Sequence, residues 1–461
     1  MAMGKRKPRQ ESLFVSTDQL VSKAGHPFYQ KLNELLAEAK FDTWVESRCV
    51  KHYECEEKRG QPSVPPGVYF RMLFVGYFED IDSQRGIAWR CADSFSLRSF
   101  LGIPLHKLTP DHSTLSLTRN RLPAELFDEV FQFVLGIAEA KDLIKGKTVG
   151  VDSTTLEANA AMKSIVRKDT GEDWNAYVVR LMRAEGVVGP DKTPFLEEII
   201  RYDRKRKDKS TSNADWKSET DPDAKIAKMK DGTTHLAYKA EHVVDLESDL
   251  ILAAEVRPAT DTDTATLADS LAAAQLNLKA AGSDAVIEEA AADKGYHAAK
   301  TIELCDFLDV RTYIPEPERA GKSKLGEKPE AERKAVVNNR RRMGRAKGKQ
   351  LQRRRSEVVE RTFAHLCETG GSRRSHLRGL VNVTKRYRIA AAAHNLGRIL
   401  RKLTGVGKPR VLQGAKGGLG GASRGLGTRW ETRYRRLSSR WAKLFTRLPR
   451  FNDGEMIVLS T

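Results

Sequence analysis

The chain has 461 residues, of which 40% are hydrophobic and 31% charged, and its formal net charge is +19. At about 100–200 residues per domain, this length predicts two to four domains with enough apolar residues for a sizeable core. The apolar run Met72–Phe78 is far shorter than the roughly 20 residues of a bilayer span, and the basic N-terminus lacks the apolar stretch of a secretory signal. Five Cys without a CxxC pair exclude a disulfide framework and favour a reducing cytoplasm.

Positive charge is concentrated in two strips of the sequence. Residues 319–355 hold 15 Lys and Arg against 3 Glu, and residues 401–461 hold 14 Lys and Arg against 3 acidic residues. Such strips suit a polyanion, because each neutralised phosphate releases counterions. For the C-terminal strip, a solvated tail is the open alternative. The first strip has no aromatic residue, so we expect contacts with a phosphate backbone rather than base stacking.

The first 145 residues read as an all-α domain. Apolar residues recur at helical spacing in Phe28–Leu36, Val68–Phe78 and Leu126–Ala138, and Pro65-Pro66 is typical of a helix start. Ser83–Trp89 and Ser94–Leu101 predict two short helices with a turn at Arg90–Asp93, an arrangement similar to a helix-turn-helix.

From Lys147 onward the pattern changes to alternating strands and helices. Residues 161–230 are polar and helix-permissive, which predicts an insertion after the first strand. The glycines of residues 411–427 predict a linker. In chain order, the pattern predicts a strand at Thr148–Asp152, a hairpin of His235–Val244 and Leu250–Val256, a helix at Asp263–Ala281, a strand at Ala285–Ala291, a helix at His297–Phe307, a strand at Val310–Ile314, and helices at Val358–Leu366 and Tyr387–Leu403.

These elements predict an α/β domain with a mixed sheet, interrupted by a helical insertion and preceded by the all-α domain. The predicted organisation is an N-terminal helical domain (1–145), the first strand of the second domain (146–160), the insertion (161–230), the remainder of that domain with the basic strip 319–355 (231–405), and a Gly-rich linker with a basic tail (406–461).

Three acidic residues occupy unusual positions. Asp152 ends an apolar strand, Asp293 follows another, and Glu360 adjoins a helical stripe of Val359, Phe363 and Leu366. An acid beside a core stripe is costly unless it is paired or binds a cation. Three carboxylates that meet at strand ends would suit Mg²⁺ or Mn²⁺. The open alternative is structural, since Asp after a strand is often a helix cap or turn residue.

Several separated motifs resemble the DDE transposases of bacterial insertion sequences. The acids lie in VDST at 151–154, DKGY at 293–296 and RSEVVERTF at 355–363. The resemblance covers roughly residues 30–405 and includes further segments in the same order: PPGVYFRMLFVGYFEDI at 65–81, PDHSTLSLTRNRL at 110–122, DPDAKIAKMKDGTTHLAYKAEHVVD at 221–245, HLRGLVNVTKRY at 376–387 and HNLGRIL at 394–400.

The resemblance implies a ribonuclease-H-like catalytic domain in which Asp152, Asp293 and Glu360 are the catalytic residues and hold two Mg²⁺ or Mn²⁺ ions. It implies hydrolysis of a phosphodiester at the ends of an insertion sequence, followed by transfer of the 3′-hydroxyl into target DNA. The family has an Arg shortly before the glutamate, which Arg355 matches, and often a Lys seven positions after it, where this chain has Cys367.

The resemblance also implies that residues 1–145 are a DNA-binding domain. The partners implied are double-stranded DNA, as terminal inverted repeats and as target, and a second copy of the chain, because two ends must be joined. We expect no membrane partner and a cytoplasmic, nucleoid-associated protein. Two alternatives stay open: a nuclease of the same fold without strand transfer, and a non-catalytic DNA-binding repressor or inactive relic. The candidate DNA contacts are Arg340, Arg341, Arg342, Arg353, Arg354, Arg355 and His297.

Overall fold

The computed structural model describes residues 25–53, 63–207, 212–229, 232–318 and 324–413. Residues 319–323 of the first basic strip, and residues 414–461 with most of the predicted linker and basic tail, lie outside the described residues. Among the helices of the described part, none is both long enough and apolar enough to cross a membrane.

The described part of residues 25–145 is helical, as predicted. Phe70, Phe74 and Phe78, from the middle of this region, are fully buried, and Phe127 and Phe131 join them from its last helix. The helices are α1 (Pro27–Glu38), α2 (Phe41–Cys49), α3 (Pro66–Phe78), α4 (Gln84–Asp93), α5 (Phe95–Leu101), α6 (His112–Arg121) and α7 (Ala124–Ala140).

The predicted helices at α1, α3 and α7 are confirmed, whereas α2 and α6 were not predicted from the apolar spacing. The turn predicted at Arg90–Asp93 is wrong, because α4 continues through Asp93. Ser94 alone separates α4 from α5, and its hydroxyl accepts a hydrogen bond from Leu97 N as the N-cap of α5.

A mixed sheet follows the helical region. Strand β1 (Thr148–Glu157) is followed by the separate two-stranded ribbon of β2 (Ile165–Arg167) and β3 (Trp216–Ser218), and then by β4 (Lys225–Lys228), β5 (Thr234–Asp245), β6 (Ile251–Pro258), β7 (Glu289–Ala292) and β8 (Arg311–Tyr313). The order is β4-β5-β1-β7-β8, and β6 also pairs with β5. β1 is antiparallel to β5 and parallel to β7, which is parallel to β8.

The segment predicted as an insertion contains two helices between β2 and β3, namely α8 (Trp174–Ala184) and α9 (Leu196–Lys205). Val178, Met182, Val188 and Ile199 form a small apolar cluster there. This cluster is separate from the main core, as expected of a segment inserted after β1.

The remaining helices pack against both faces of the sheet. They are α10 (Asp263–Ala280), α11 (Ala299–Phe307), α12 (Glu330–Gly344), α13 (Ala346–Phe363), α14 (Leu380–Thr404) and the short α15 (Arg410–Gln413). Successive side chains of a strand point to opposite faces. Accordingly, Asp152 contacts α13 through Arg355, and Ser153 contacts α10 through Asp263. β1 is therefore covered on both sides.

Several boundaries differ from the predicted ones. The strand predicted at Ala285–Ala291 is the shorter β7, and β1 continues five residues beyond Asp152 because its polar end pairs with β5. The helix predicted at Val358–Leu366 begins at Ala346 and ends at Phe363, before a π-helical turn at Ala364–Glu368. The mixed sheet, the hairpin and the helical N-terminal region are confirmed, while the domain boundaries stay a prediction.

Gly150 lets α13 approach the sheet closely. An added Cβ would lie 2.8 Å from both Leu246 Cδ2 and Val359 Cγ2. We expect Gly150→Ala to lower the free energy of unfolding by about 1–3 kcal/mol, because α13 must shift to relieve the overlap. Urea unfolding followed by circular dichroism measures this change. Gly344→Ala is the matched control, because its Cβ would meet open space; equal midpoints for both variants would contradict the role of Gly150.

Candidate active site

Two of the predicted acids lie side by side where the ladder between β1 and β7 ends, although Asp152 is inside β1 and not at its end as predicted. The ladder between the parallel strands β1 and β7 ends with the pair Val151 and Ala292, and Asp152 and Asp293 come directly after it. Matching positions on adjacent strands share a face of the sheet. Both carboxylates therefore face α13, with the Asp152 side chain 22% exposed and the Asp293 side chain 49% exposed.

The guanidinium of Arg355 on α13 connects these two carboxylates. Its Nη1 donates to Asp152 Oδ2 at 2.8 Å, and its Nη2 lies 3.9 Å from Asp293 Oδ1. The Arg355 side chain is only 9% exposed, so its charge needs a counter-charge close by. The same guanidinium offsets the repulsion between two adjacent carboxylates.

Gln352, one turn before Arg355, fixes α13 to the ends of the strands. Its Nε2 donates to Ala292 O at 3.0 Å and to Tyr313 O, the last carbonyls of β7 and β8. Its Oε1 accepts from Arg355 Nε at 3.2 Å. One amide side chain thus orients the guanidinium and satisfies strand-end carbonyls that would otherwise be unpaired.

Glu360 occupies a different side of α13. On an α-helix, the five residues from Arg355 to Glu360 correspond to about 140° of rotation and about 7.5 Å of rise. Glu360 is exposed, and its Oε1 accepts a hydrogen bond from Ser356 Oγ at 2.6 Å. The neighbouring stripe of Val359, Phe363 and Leu366 is buried as predicted, so Glu360 lies at the outer margin of the helix contact.

The two aspartates have the donor chemistry of a divalent cation site. Carboxylate oxygens are the hard ligands that Mg²⁺ and Mn²⁺ prefer, and Arg355 already brings positive charge between Asp152 and Asp293. Among the residues that the structure describes, however, no three His, Cys, Asp or Glu side chains are grouped so that they could hold a metal ion. Asp152 and Asp293 therefore fit such an ion as a pair, and the set that includes Glu360 stays a prediction.

His242 holds the last turn of α13 against the sheet. It faces Asp152 across the β1–β5 ladder, and its ring stacks on Phe363 with centroids 4.0 Å apart. Thr362 donates its hydroxyl proton to Val359 O, so Thr362 Oγ1 accepts from His242 Nδ1 at 2.8 Å. His242 Nε2 then accepts from Tyr387 Oη at 2.8 Å. Burial lowers the pKa of His242 to about 3, in agreement with this neutral tautomer.

Asp263, at the start of α10, supports the opposite face of the same strand ends. Its Oδ1 accepts from Ser153 Oγ at 2.8 Å and lies 2.7 Å from Lys239 Nζ. A Cβ on Gly295 would lie 2.8 Å from Asp263 Oδ2. Asp263 therefore contacts the residue after Asp152 and the turn after Asp293.

The sequence analysis did not assign Gln352, His242 or Asp263 to the site. The signals in the sequence were a His in the first strand of the predicted hairpin, the Asp261-x-Asp263 pair, which is more typical of a helix N-cap than of a ligand, and the Gly that follows Asp293-Lys294. None of these signals identifies a partner, because each contact joins elements that are far apart in the sequence.

The candidate DNA contacts differ in their surroundings. Arg341 and Arg353 are exposed, on α12 and α13 respectively. Arg340 is exposed but donates twice to the Glu316 carboxylate, and His297 Nε2 lies 3.9 Å from the same Glu316.

The other three candidates are engaged within the protein. Arg342 donates to Thr312 O at 3.0 Å, Arg354 donates to Leu246 O and to Asp249, and Arg355 binds Asp152. As DNA contacts, all seven residues stay predictions. Arg341 and Arg353 are the best placed of them for a phosphate backbone.

Comparisons with protein families agree with this geometry. Residues 15–121 match the family described as "Transposase domain (DUF772)", and residues 202–396 match the family described as "Transposase DDE domain". The second match contains Asp293 and Glu360, whereas Asp152 precedes it. No curated protein and no solved structure matches the chain.

The two matched regions occur in the order expected of one protein class. They cover most of the helical region and most of the sheet domain, including the motifs of Asp293 and Glu360. The chain belongs to the DDE transposases of the insertion-sequence type, and the resemblance seen in the sequence is thereby confirmed.

Replacing Arg355 tests the electrostatics of the paired aspartates. We expect Arg355→Met to lower the free energy of unfolding in metal-free buffer by about 1–3 kcal/mol, because Asp152 loses its charged partner. Added Mg²⁺ should raise the thermal midpoint of this variant more than that of the unmodified protein, because the ion can then balance both carboxylates. Differential scanning fluorimetry with and without Mg²⁺ measures both effects.

Two variants control this experiment. Arg353→Met removes an exposed charge from the same helix and should leave the midpoint and its Mg²⁺ response unchanged. Arg355→Met combined with Asp293→Asn should lose the extra Mg²⁺ response. If the double variant responds to Mg²⁺ as strongly as Arg355→Met does, the ion binds elsewhere and the pair of aspartates is not its site.

Proposed function

We propose that this transposase hydrolyses a phosphodiester at each end of an insertion sequence and transfers the resulting 3′-hydroxyl into target DNA, with Mg²⁺ or Mn²⁺ as cofactor. The observation that carries the proposal is the position of Asp152 and Asp293 directly after the last pair of the parallel β1–β7 ladder, within reach of one guanidinium. Ligand sites of open α/β sheets gather where parallel strands end.

The fold is compatible with this chemistry. A mixed sheet covered by helices on both faces, with β1 between an antiparallel and a parallel neighbour, supports a ribonuclease-H-like catalytic domain. Two DNA ends must be handled together, so we propose a homodimer as the active form.

We propose Asp152, Asp293 and Glu360 as the catalytic residues and metal ligands. Bound divalent ions lower the pKa of a coordinated water and stabilise in-line phosphoryl displacement. Asp152 and Asp293 would bind from the end of the β1–β7 ladder, and Glu360 would join them from α13 after its side chain leaves Ser356. Arg355, oriented by Gln352, binds Asp152 and lies close to Asp293. The chemistry needs positioning and charge stabilisation, and no covalent protein nucleophile.

The exposed face of α12 and α13 is the proposed contact for the DNA backbone. Arg341 and Arg353 carry charges that acidic side chains do not engage in the described structure, and phosphate contacts require only such charge. Because α13 also carries Arg355 and Glu360, DNA on this face would lie close to the proposed catalytic acids.

A second candidate function is DNA binding without catalysis, as in a repressor or inactive relic. The exposed position of Glu360 and its bond to Ser356 favour this candidate. A nuclease that cuts without joining is the third outcome that the experiments below distinguish.

Substitution of the three acids tests the catalytic proposal. We expect Asp152→Asn, Asp293→Asn and Glu360→Gln each to lower DNA cleavage by about 100-fold or more, because each removes several kcal/mol of transition-state charge stabilisation. Glu357→Gln, an exposed acid on the same helix that pairs with Arg361, is the matched control and should retain activity. The substrate is labelled DNA that carries the sequences flanking the gene, incubated with Mg²⁺.

The products of that assay separate the candidates. Joined products together with cleaved ends support a transposase, and cleavage without joining indicates the nuclease. Binding without cleavage indicates the non-catalytic protein. If Glu360→Gln keeps full cleavage activity and Glu357→Gln loses it, Glu360 is not the third metal ligand and the proposed assignment is wrong.

Salt dependence tests the proposed DNA contact. We expect Arg341→Gln and Arg353→Gln each to reduce the slope of log K against log salt concentration by about 1, because each removes one phosphate contact. Fluorescence anisotropy with double-stranded DNA at several salt concentrations measures the slope. Arg340→Gln should change the slope less, because Glu316 already engages its guanidinium. If Arg340→Gln changes the slope more than Arg341→Gln and Arg353→Gln do, this helix face is not the DNA contact.

A further inference from the structure

A cleft of about 870 Å³, including its solvent, lies between the N-terminal helical region and a wall made of residues 370–377 and α14. Its walls come from α3, α4, α6 and α7 on one side, and from residues 370–377 and α14 on the other. The cleft is not part of the site around Asp152.

Two arginines in the walls of the cleft lack adequate partners. Arg119 lines it from α6, and its buried Nε and Nη1 have no hydrogen-bond partner in the described structure. Arg386 lines it from α14, and its Nη2 has a long hydrogen bond of 3.4 Å to Gly371 O. A buried donor without an acceptor is costly, so these two side chains point to an absent acceptor.

The charges around the cleft do not balance. Burial lowers the pKa of Arg119. Burial also lowers the pKa of Arg386, where the Asp82 carboxylate opposes this shift and the nearby charge of Arg119 adds to it. Asp82 supplies a carboxylate at the wall, but His376 Nε2 already lies 2.9 Å from its Oδ2. The cleft therefore favours an anion, which would satisfy the free donors and reduce the repulsion between the two guanidiniums.

The rest of the wall is apolar and aromatic. The residues that line it include Tyr69, Leu73, Phe127 and Ile389. A free inorganic anion would leave these surfaces without a contact. A phosphate joined to a planar base would use both parts of the wall, since aromatic rings and Arg planes bind bases and guanidinium groups bind phosphate.

We propose that this cleft binds one nucleotide, with its phosphate on Arg119 and Arg386 and its base against the apolar wall. The nucleotide has two possible sources, a free mononucleotide or a nucleotide unit of bound DNA. The site needs neither divalent metal nor cleavage, so its test is independent of the proposed catalytic residues.

Binding of radiolabelled dAMP to the full-length protein in EDTA, measured by equilibrium dialysis, tests the proposal. We expect dAMP to bind, and Arg119→Met and Arg386→Met each to weaken its affinity by about tenfold to hundredfold, because each removes charge-assisted hydrogen bonds to phosphate. Deoxyadenosine, which lacks the phosphate, should bind the unmodified protein more weakly by a similar factor. Arg121→Met, two residues along the chain and exposed over the Tyr53 ring, is the matched control.

Thermal unfolding without ligand separates this role from a structural one. Removal of an arginine with a structural role would lower the thermal midpoint. Removal of Arg119, whose buried Nε and Nη1 have no partner in the described structure, should leave the midpoint unchanged or raise it. The proposal is overturned if dAMP fails to bind, if Arg119→Met and Arg386→Met bind it normally, or if Arg119→Met lowers the midpoint as a structural loss would.

A competition experiment identifies the source of the nucleotide. Displacement of labelled dAMP by a DNA fragment that carries the gene-flanking sequence would assign the cleft to DNA. Retention of dAMP in the presence of saturating DNA would assign it to free nucleotides. Both outcomes presuppose the affinity loss in the Arg119 and Arg386 variants.

Discussion

The contact of Arg355 with two aspartates constrains the geometry of the whole sheet domain. Two carboxylates on adjacent strands repel each other, and a guanidinium removed from water needs negative charge. The two carboxylates without the guanidinium, or the buried guanidinium without the carboxylates, would therefore destabilise the fold. Together, their attraction offsets the repulsion and the loss of hydration. The contact fixes how α13 lies on the sheet, and Gly150 and Gln352 permit the close approach that the contact requires. The position of α13 in turn determines where Glu360 lies.

Much of the sheet could be predicted from the sequence because its signals are local. The hairpin of β5 and β6 has two β-prone runs with a turn between them, and β7 and β8 follow from short apolar runs. The length of β1 could not be predicted, because its end is polar and is held in the sheet by pairing with β5. That pairing depends on tertiary structure rather than on the composition of the strand.

The helices of the first basic strip could not be predicted from apolar periodicity. Its residues from Glu330 onward form α12 and the first half of α13, yet charge on nearly every side hides the apolar spacing that usually identifies a helix. Ala, Glu, Lys and Arg are good helix formers, so propensity favoured a helix where periodicity did not. A few buried residues, Ala335, Val336 and Asn339, attach α12 to the core. The strip is therefore partly structural and only partly available to DNA.

The acids of the candidate site were found from strand ends and motif resemblance, but their environment was not. The sequence indicates that Asp152 and Asp293 follow strands, and the register makes them neighbours. Only tertiary structure pairs Arg355 with them, and only helical geometry turns Glu360 away from Arg355. The residues that hold the site, Gln352 and His242, have no motif of their own.

Residues 370–377 contact both β1, the strand that carries Asp152, and the wall of the cleft. Arg373 Nη1 donates to Thr154 Oγ1 and to Thr155 O on β1, and Glu157 N donates to Arg373 O. From the same segment, His376 contacts Asp82 at the cleft wall. A nucleotide in the cleft would thus rest against the segment that is bonded to β1 two residues beyond Asp152. The same short segment therefore contacts both the wall of the cleft and the strand that carries Asp152.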